Sequence, residues 1–215
     1  AELVRGGGVI DPLVLLAFVP AALALNLTPG ADMMFCLGQG LRHGPRAAIA
    51  ASAGIAAGGL AHGLVAGLGL GALVSGMPWL FAVIRWVGVA YLLWLAVQAL
   101  RSGPVRDAGH DVPTGTHHAF RDAFVVNLTN PKIVLFMLAF VPQFVDPARA
   151  VLPQFLVFAG VLSLGGFFVN GAVGVFAGGI GRTVARSERF SKVLGWISAG
   201  VFAALAARLA VMERA

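Results

Sequence analysis

Asn26-Leu27-Thr28-Pro29-Gly30-Ala31-Asp32 returns later in the chain as Asn127-Leu128-Thr129-Asn130-Pro131-Lys132, and this echo decides the fold. Self-similarity within one chain marks an internally repeated architecture. Continued without a gap, the match places Phe35 opposite Phe136 and Leu37 opposite Leu138. Both copies read as stop-and-restart signals for a helix. Proline cannot continue a helix but suits its first turn, and Thr28 or Asn130 can cap the half that follows.

Around the two motifs the chain is strongly apolar: 59% of its 215 residues are hydrophobic and 11% are charged, where a soluble domain carries about a quarter charged residues. The apolar residues form runs at 13–27, 47–73, 80–100, 133–141, 151–180 and 193–207. A helix needs about 20 residues to cross a bilayer. The run at 133–141 reaches that length only if the segment from Ala119 joins it through the break at Asn130-Pro131. The first run follows Asp11-Pro12, lacks a strongly basic flank and leads into a polar motif, so it reads as a retained span and not a signal peptide.

Six spans result, at roughly 13–36, 45–72, 79–100, 119–142, 150–179 and 191–212. Three of them separate the two motifs, and an odd number of crossings inserts the second half upside down. The predicted fold is an all-α integral membrane protein, six transmembrane helices arranged as two inverted three-helix repeats with broken first and fourth helices. Residues 1–215 form one transporter domain, with halves at about 11–100 and 119–212 and a cytoplasmic linker at 101–118.

The formal charge of +6 does not point to nucleic acid, because the basic residues sit in short connections and do not gather with aromatics on a soluble face. They read as topology signals instead. Arg42, Arg46, Arg101, Arg106, Arg121, Arg182, Arg186, Arg189 and Lys192 lie at the first, third and fifth connections, against Arg5, Arg85, Arg149, Arg208 and Arg214 on the other side. The positive-inside rule then predicts both termini outside. The single cysteine, Cys36, offers no disulfide or thiol cluster and reads as a small buried hydrophobe. His110, His117 and His118 in the linker have no carboxylate or thiol to complete a ligand set and read as solvated residues.

The chemistry is expected where ionisable residues meet the breaks. Asp32 falls in the first turn of a restarted helix, where the dipole favours an acid, yet a carboxylate at membrane depth costs about 2.5–3.5 kcal/mol on insertion scales. Lys132 opposes the dipole of its own helix and needs a partner elsewhere, unless it snorkels to the interface. If the breaks meet, Lys132 and Asp32 pair or hold opposite ends of a zwitterion. Substrate carboxylate then sits at Pro131-Lys132 and ammonium at Asp32, with amide contacts from Asn26 and Asn127. Thr28, Pro29, Gly30 and Asn130 shape the breaks, and His62 is either a proton relay or a packing residue. Asn170 has the same two readings. Glycine pairs at Gly54/Gly58, Gly67/Gly71 and Gly174/Gly178 serve close packing within the bundle, with a homodimer as their second use.

These residues give the chain a resemblance, over nearly its whole length, to the LysE/RhtB family of bacterial amino-acid exporters. The motifs that carry it are 26–32 after the first run, the glycine-rich second span with His62, Tyr91-Leu92, Phe120-Arg121 leading into 127–132, and Phe140-Val141-Pro142-Gln143-Phe144. The resemblance implies an inner-membrane protein that exports neutral or basic amino acids, or close analogues, on the proton-motive force, with no cofactor. Some members have an acid where this chain has Gly59, which shifts the coupling role onto Asp32. Two rivals are weaker. Divalent metal efflux would rest on Asp32 and His62 alone, and an intramembrane serine hydrolase would need a nucleophile elbow that Ser52 and Ser163 do not build.

Overall fold

The computed structural model describes residues 9–74, 78–101, 116–177 and 187–211. Every element among them is helical: α1 (Pro12–Leu27), α2 (Ala31–His43), α3 (Pro45–Val74), α4 (Pro78–Arg101), α5 (Thr116–Leu128), α6 (Pro131–Phe144), α7 (Val151–Val175) and α8 (Glu188–Val211). Local chemistry sets several boundaries. The Asp11 side chain accepts from the Leu13 N–H at 2.8 Å and Pro12 fills the first turn of α1. Gly44, at φ +82°, takes a left-handed conformation that lets α2 end one residue before α3 begins at Pro45.

The two broken helices stand where the repeat puts them. α1 and α2 meet at 54° across Thr28, Pro29 and Gly30, and α5 and α6 meet at 50° across Thr129 and Asn130. α6 is α-helical over Pro131–Leu135, π-helical over Phe136–Phe140 and 3-10 over Val141–Phe144. Widened turns of this kind recur at functional sites.

Two helices are long and apolar enough to cross a membrane by themselves, over Pro45–Gly69 and Val151–Val175, and each bent pair adds one span if taken as a unit. The apolar stretches Trp86–Arg101 and Lys192–Ala207 of α4 and α8 are shorter. Side-chain placement agrees with a lipid environment. Leu13, Leu16, Val65, Leu68, Phe168 and Trp196 face outward, while Asp32, Gln39, Ser52, Asn127, Asn130, Gln154, Ser163 and Asn170 are buried. Lipid rewards that inversion, because the polar groups must find partners inside the bundle.

α3 and α7 form the central pair, with α5 and α2 against α3, α1 against α7 and α8, and α4 against α8. Glycine permits the closest approaches. A Cβ on Gly40 would strike the Gly174 carbonyl of α7, and one on Gly54 the Phe120 carbonyl of α5. Gly54, Gly58, Gly67 and Gly174 thus pack within this chain; Gly178 lies outside the described residues. Phe18 of α1 gathers Phe136, Phe140 and Phe144 of α6 and Phe158 of α7, with ring centroids 4.8 to 6.3 Å away. This aromatic knot fastens α1 to α6 on one side of the breaks.

Two expectations need correcting. Thr28 does not cap α2: the hydroxyl donates back to the Ala24 carbonyl at 2.7 Å, and the N-cap is Gly30, which has no side chain to offer. The linker is shorter than 101–118, because Arg101 closes α4 and Thr116, His117 and His118 open α5; residues 102–115, His110 included, lie outside the described residues. Arg5, Arg106, Arg182, Arg186 and Arg214, on which the orientation leans, also lie outside them.

Candidate functional site

Proline explains the first break. Pro29 has no N–H, so the carbonyl of Leu25, four residues earlier, loses its helical donor. The chain leaves α1 in extended conformation at Thr28, whose carbonyl is likewise outside the helical ladder. Both oxygens are taken by one group: Lys132 Nζ donates to Leu25 O and to Thr28 O, each at 2.9 Å. Gly30 leaves the space for it, since a Cβ there would lie 3.2 Å from Nζ.

The second break follows the same rule with a different partner. Pro131 removes the donor that would have met the Asn127 carbonyl. That oxygen accepts from the Asn130 N–H at 3.0 Å and lies 3.2 Å from His62 Nε2. A carbonyl can only accept, so His62 carries its proton on Nε2. Asn130 caps α6, its Oδ1 accepting from the Lys132 N–H at 3.0 Å, with Pro131 in the first turn. Tyr91 of α4 donates its hydroxyl to the Lys132 carbonyl at 2.6 Å and so fixes the same turn from outside.

Asp32 and Lys132 each stand two residues after the N-cap of a restarted half-helix, Gly30 and Asn130 respectively. The α2 dipole favours the acid. The α6 dipole opposes the cation, and the carbonyl end of α1 compensates. Asp32 is 5% exposed and accepts from Asn127 Nδ2 at 2.8 Å. Among the described residues no direct ion pair joins Asp32 to Lys132. The two breaks therefore meet, cross-tied from Lys132 to α1 and from Asn127 to α2.

Several buried atoms around the tie remain without partners: Asp32 Oδ1, Asn127 Oδ1, Asn130 Nδ2 and Ser163 Oγ. Each unpaired polar atom costs about 1–3 kcal/mol, which a ligand that pairs it returns as binding. Two are acceptors suited to an ammonium, one is an amide donor suited to a carboxylate, and the serine hydroxyl serves either. Asn26 is placed differently, its Nδ2 donating to the Leu162 carbonyl of α7 at 3.0 Å and its amide lying over Gly165 and Gly166. No group of three His, Cys, Asp or Glu residues able to hold a metal occurs among the described residues.

Sequence reasoning missed Tyr91 as part of this site, although the chain's single tyrosine inside an apolar run is a polar handle that needs a partner. It weighed Ser163 only as a nucleophile, whereas the hydroxyl lies beside Gly59 near the second break. It also missed the backbone acceptors at Leu25 and Thr28, which the position of Pro29 signals.

A model of the LysE type translocator family matches residues 23–213, an interval that contains both breaks. The chain belongs to that family. Among its relatives, an uncharacterized membrane protein of Vibrio cholerae is 38% identical over 154 residues, covering 69% of this chain and 73% of the relative. A homoserine/homoserine lactone efflux protein of Salmonella typhimurium is 35% identical over 142 residues, 66% of this chain and 69% of its own length. A leucine efflux protein of an Enterobacter species is 32% identical over 202 residues, 91% of this chain and 94% of its own. No solved structure matches this translocator.

Proposed function

We propose that this LysE-type translocator exports amino acids or close analogues across the bacterial inner membrane. Family membership and the names of the relatives, efflux proteins for homoserine, homoserine lactone and leucine, support the transport class. The observation that carries the reading is the site itself: opposite charges on two restarted half-helices, surrounded by unpaired acceptors and an unpaired amide donor, all inside an apolar shell. That set is complementary to a zwitterion. The ammonium would lie against Asp32 Oδ1 and Asn127 Oδ1, and the carboxylate against Asn130 Nδ2 and the Lys132 turn.

In this reading the six apolar segments span the bilayer as two inverted three-helix halves, with both termini outside and the linker in the cytoplasm. Asp32 takes up a proton on the outer side, which weakens its hold on the ammonium and couples export to proton entry; His62 lies one hydrogen bond from the second break and relays that proton. Measuring efflux of individual amino acids from preloaded cells tests the proposal. Asp32→Asn and Lys132→Ala, matched for expression, are expected to lower efflux of the exported amino acid at least tenfold. Near-normal efflux in both variants removes these residues from the mechanism, and a reporter fused to the C-terminus that is active only in the cytoplasm overturns the orientation.

A further inference from the structure

Lys132 is a cation inside an apolar helix bundle, and backbone carbonyls hold it. Its ammonium does not sit on a carboxylate but on two backbone oxygens, Leu25 O and Thr28 O, at the C-terminal end of α1. Three features make that end a receptor for cations. Pro29 strips Leu25 O of its helical donor, the α1 dipole concentrates negative partial charge there, and the Asp32 carboxyl follows two residues after the Gly30 cap. Gly30 keeps the floor clear, with room for the ammonium and little more. Half-helix ends with unwound carbonyls are the groups with which membrane carriers coordinate small free cations. Here the occupant is covalently attached to the protein, reaching over from the other half of the chain.

We infer that the broken end of α1 is a binding site for a primary ammonium group, filled in this structure by the protein's own Lys132. A primary ammonium satisfies it because it donates two hydrogen bonds to Leu25 O and Thr28 O and keeps a third N–H to spare. A quaternary ammonium has the charge but no donor. An alkali ion has the charge but needs more oxygens than the two that Lys132 engages. Shortening the lysine leaves two buried carbonyls without their donor, and a free alkylammonium of matching length replaces what was removed. The binding claim stands on this geometry and does not depend on the exporter reading above.

The test reads stability, not transport, so failure of the exporter reading and failure of the site are distinguishable. The purified full chain in detergent, as wild type, Lys132→Ala and Lys132→Met, is titrated at constant ionic strength with n-propylammonium, tetramethylammonium or sodium, and the thermal unfolding midpoint is followed. Lys132→Ala is expected to unfold at lower temperature than wild type and to regain midpoint saturably with n-propylammonium, as a ligand that binds only the folded state requires. Wild type and Lys132→Met, whose side chains fill the space beside Gly30, show no such gain, and tetramethylammonium and sodium produce none in any variant. Equal gains from tetramethylammonium or sodium, or no gain above wild type, overturn the assignment. Should Lys132→Ala not fold, adding Pro29→Ala gives Leu25 O a backbone donor. Recovery of folded protein in the double variant supports a role for that carbonyl as the lysine's receptor, and continued failure overturns it.

Discussion

The first break places Thr28, Pro29 and Gly30 between its half-helices, whereas the second places only Thr129 and Asn130. The first restarts on a bare glycine and carries an acid; the second restarts on a side-chain cap and carries a base. In each, a proline frees the carbonyl four residues before it, and in each a basic side chain from elsewhere approaches: Lys132 at Leu25 O and His62 at Asn127 O. The lesson is that two copies of one local device have been given complementary chemistry, so neither is satisfied alone. Asn127 holds Asp32, and Lys132 holds the end of α1.

The motif asparagines test that complementarity most severely. Asn127→Ala removes the partner of a buried carboxylate, a bond worth about 1.5–3 kcal/mol, and is expected to lower efflux roughly ten- to a hundredfold. Asn26→Ala loses only a neutral contact to Leu162 O, and its efflux stays within about threefold of wild type. Equal losses in the two variants, measured in preloaded cells, would break the comparison.

Next come the glycines beneath those asparagines. A Cβ on Gly58 would lie 2.6 Å from Asn127 Oδ1, and one on Gly166 would lie 3.2 Å from Asn26 Oδ1. Gly58→Ala is expected to destabilise the folded chain by about 1–3 kcal/mol through overpacking, and Gly166→Ala by less than about 1 kcal/mol. Thermal unfolding in detergent ranks them, and a reversed order denies that Asn127 packs more closely on Gly58 than Asn26 does on Gly166.

The smallest contrast is in the caps. Asn130→Ala loses the bond to the Lys132 N–H and should cost about 1 kcal/mol, a midpoint shift of roughly 2–4 °C. Thr28→Ala loses a hydroxyl that only bonds back to Ala24 and should shift the midpoint by less than half of that. A larger effect at Thr28 would mean that its hydroxyl serves α2 after all.

Much of the site was legible in the sequence because its causes are local. Proline next to the polar Asn-Leu-Thr stretch of each motif predicts a break, and the breaks stand at Pro29 and Pro131, whereas Pro20 sits inside α1 without one. A cation placed against its own helix dipole predicts a partner elsewhere, and Lys132 has one. What could not be read was which partner. A gapless comparison sets Asp32 against Ile133, and only the helix starts at Ala31 and Pro131 reveal that Asp32 and Lys132 hold equivalent positions. The extra linking residue in the first break hides that equivalence. Thr28 failed as a cap for a related reason: its side chain had a nearer acceptor one turn back, and propensity does not rank two available oxygens.

By itself the sequence determined that the chain is helical and apolar, where two helices must break, and which carbonyls the prolines would leave without donors, since each of these follows from a residue and its neighbours within one turn. Tertiary structure decided who satisfies those carbonyls. Lys132 and Leu25 are 107 residues apart, and Asn127 and Asp32 are 95 apart. Their meeting depends on Gly30 and Gly58 being small enough for the two breaks to close on each other, a property of packed helices that no single stretch of chain contains.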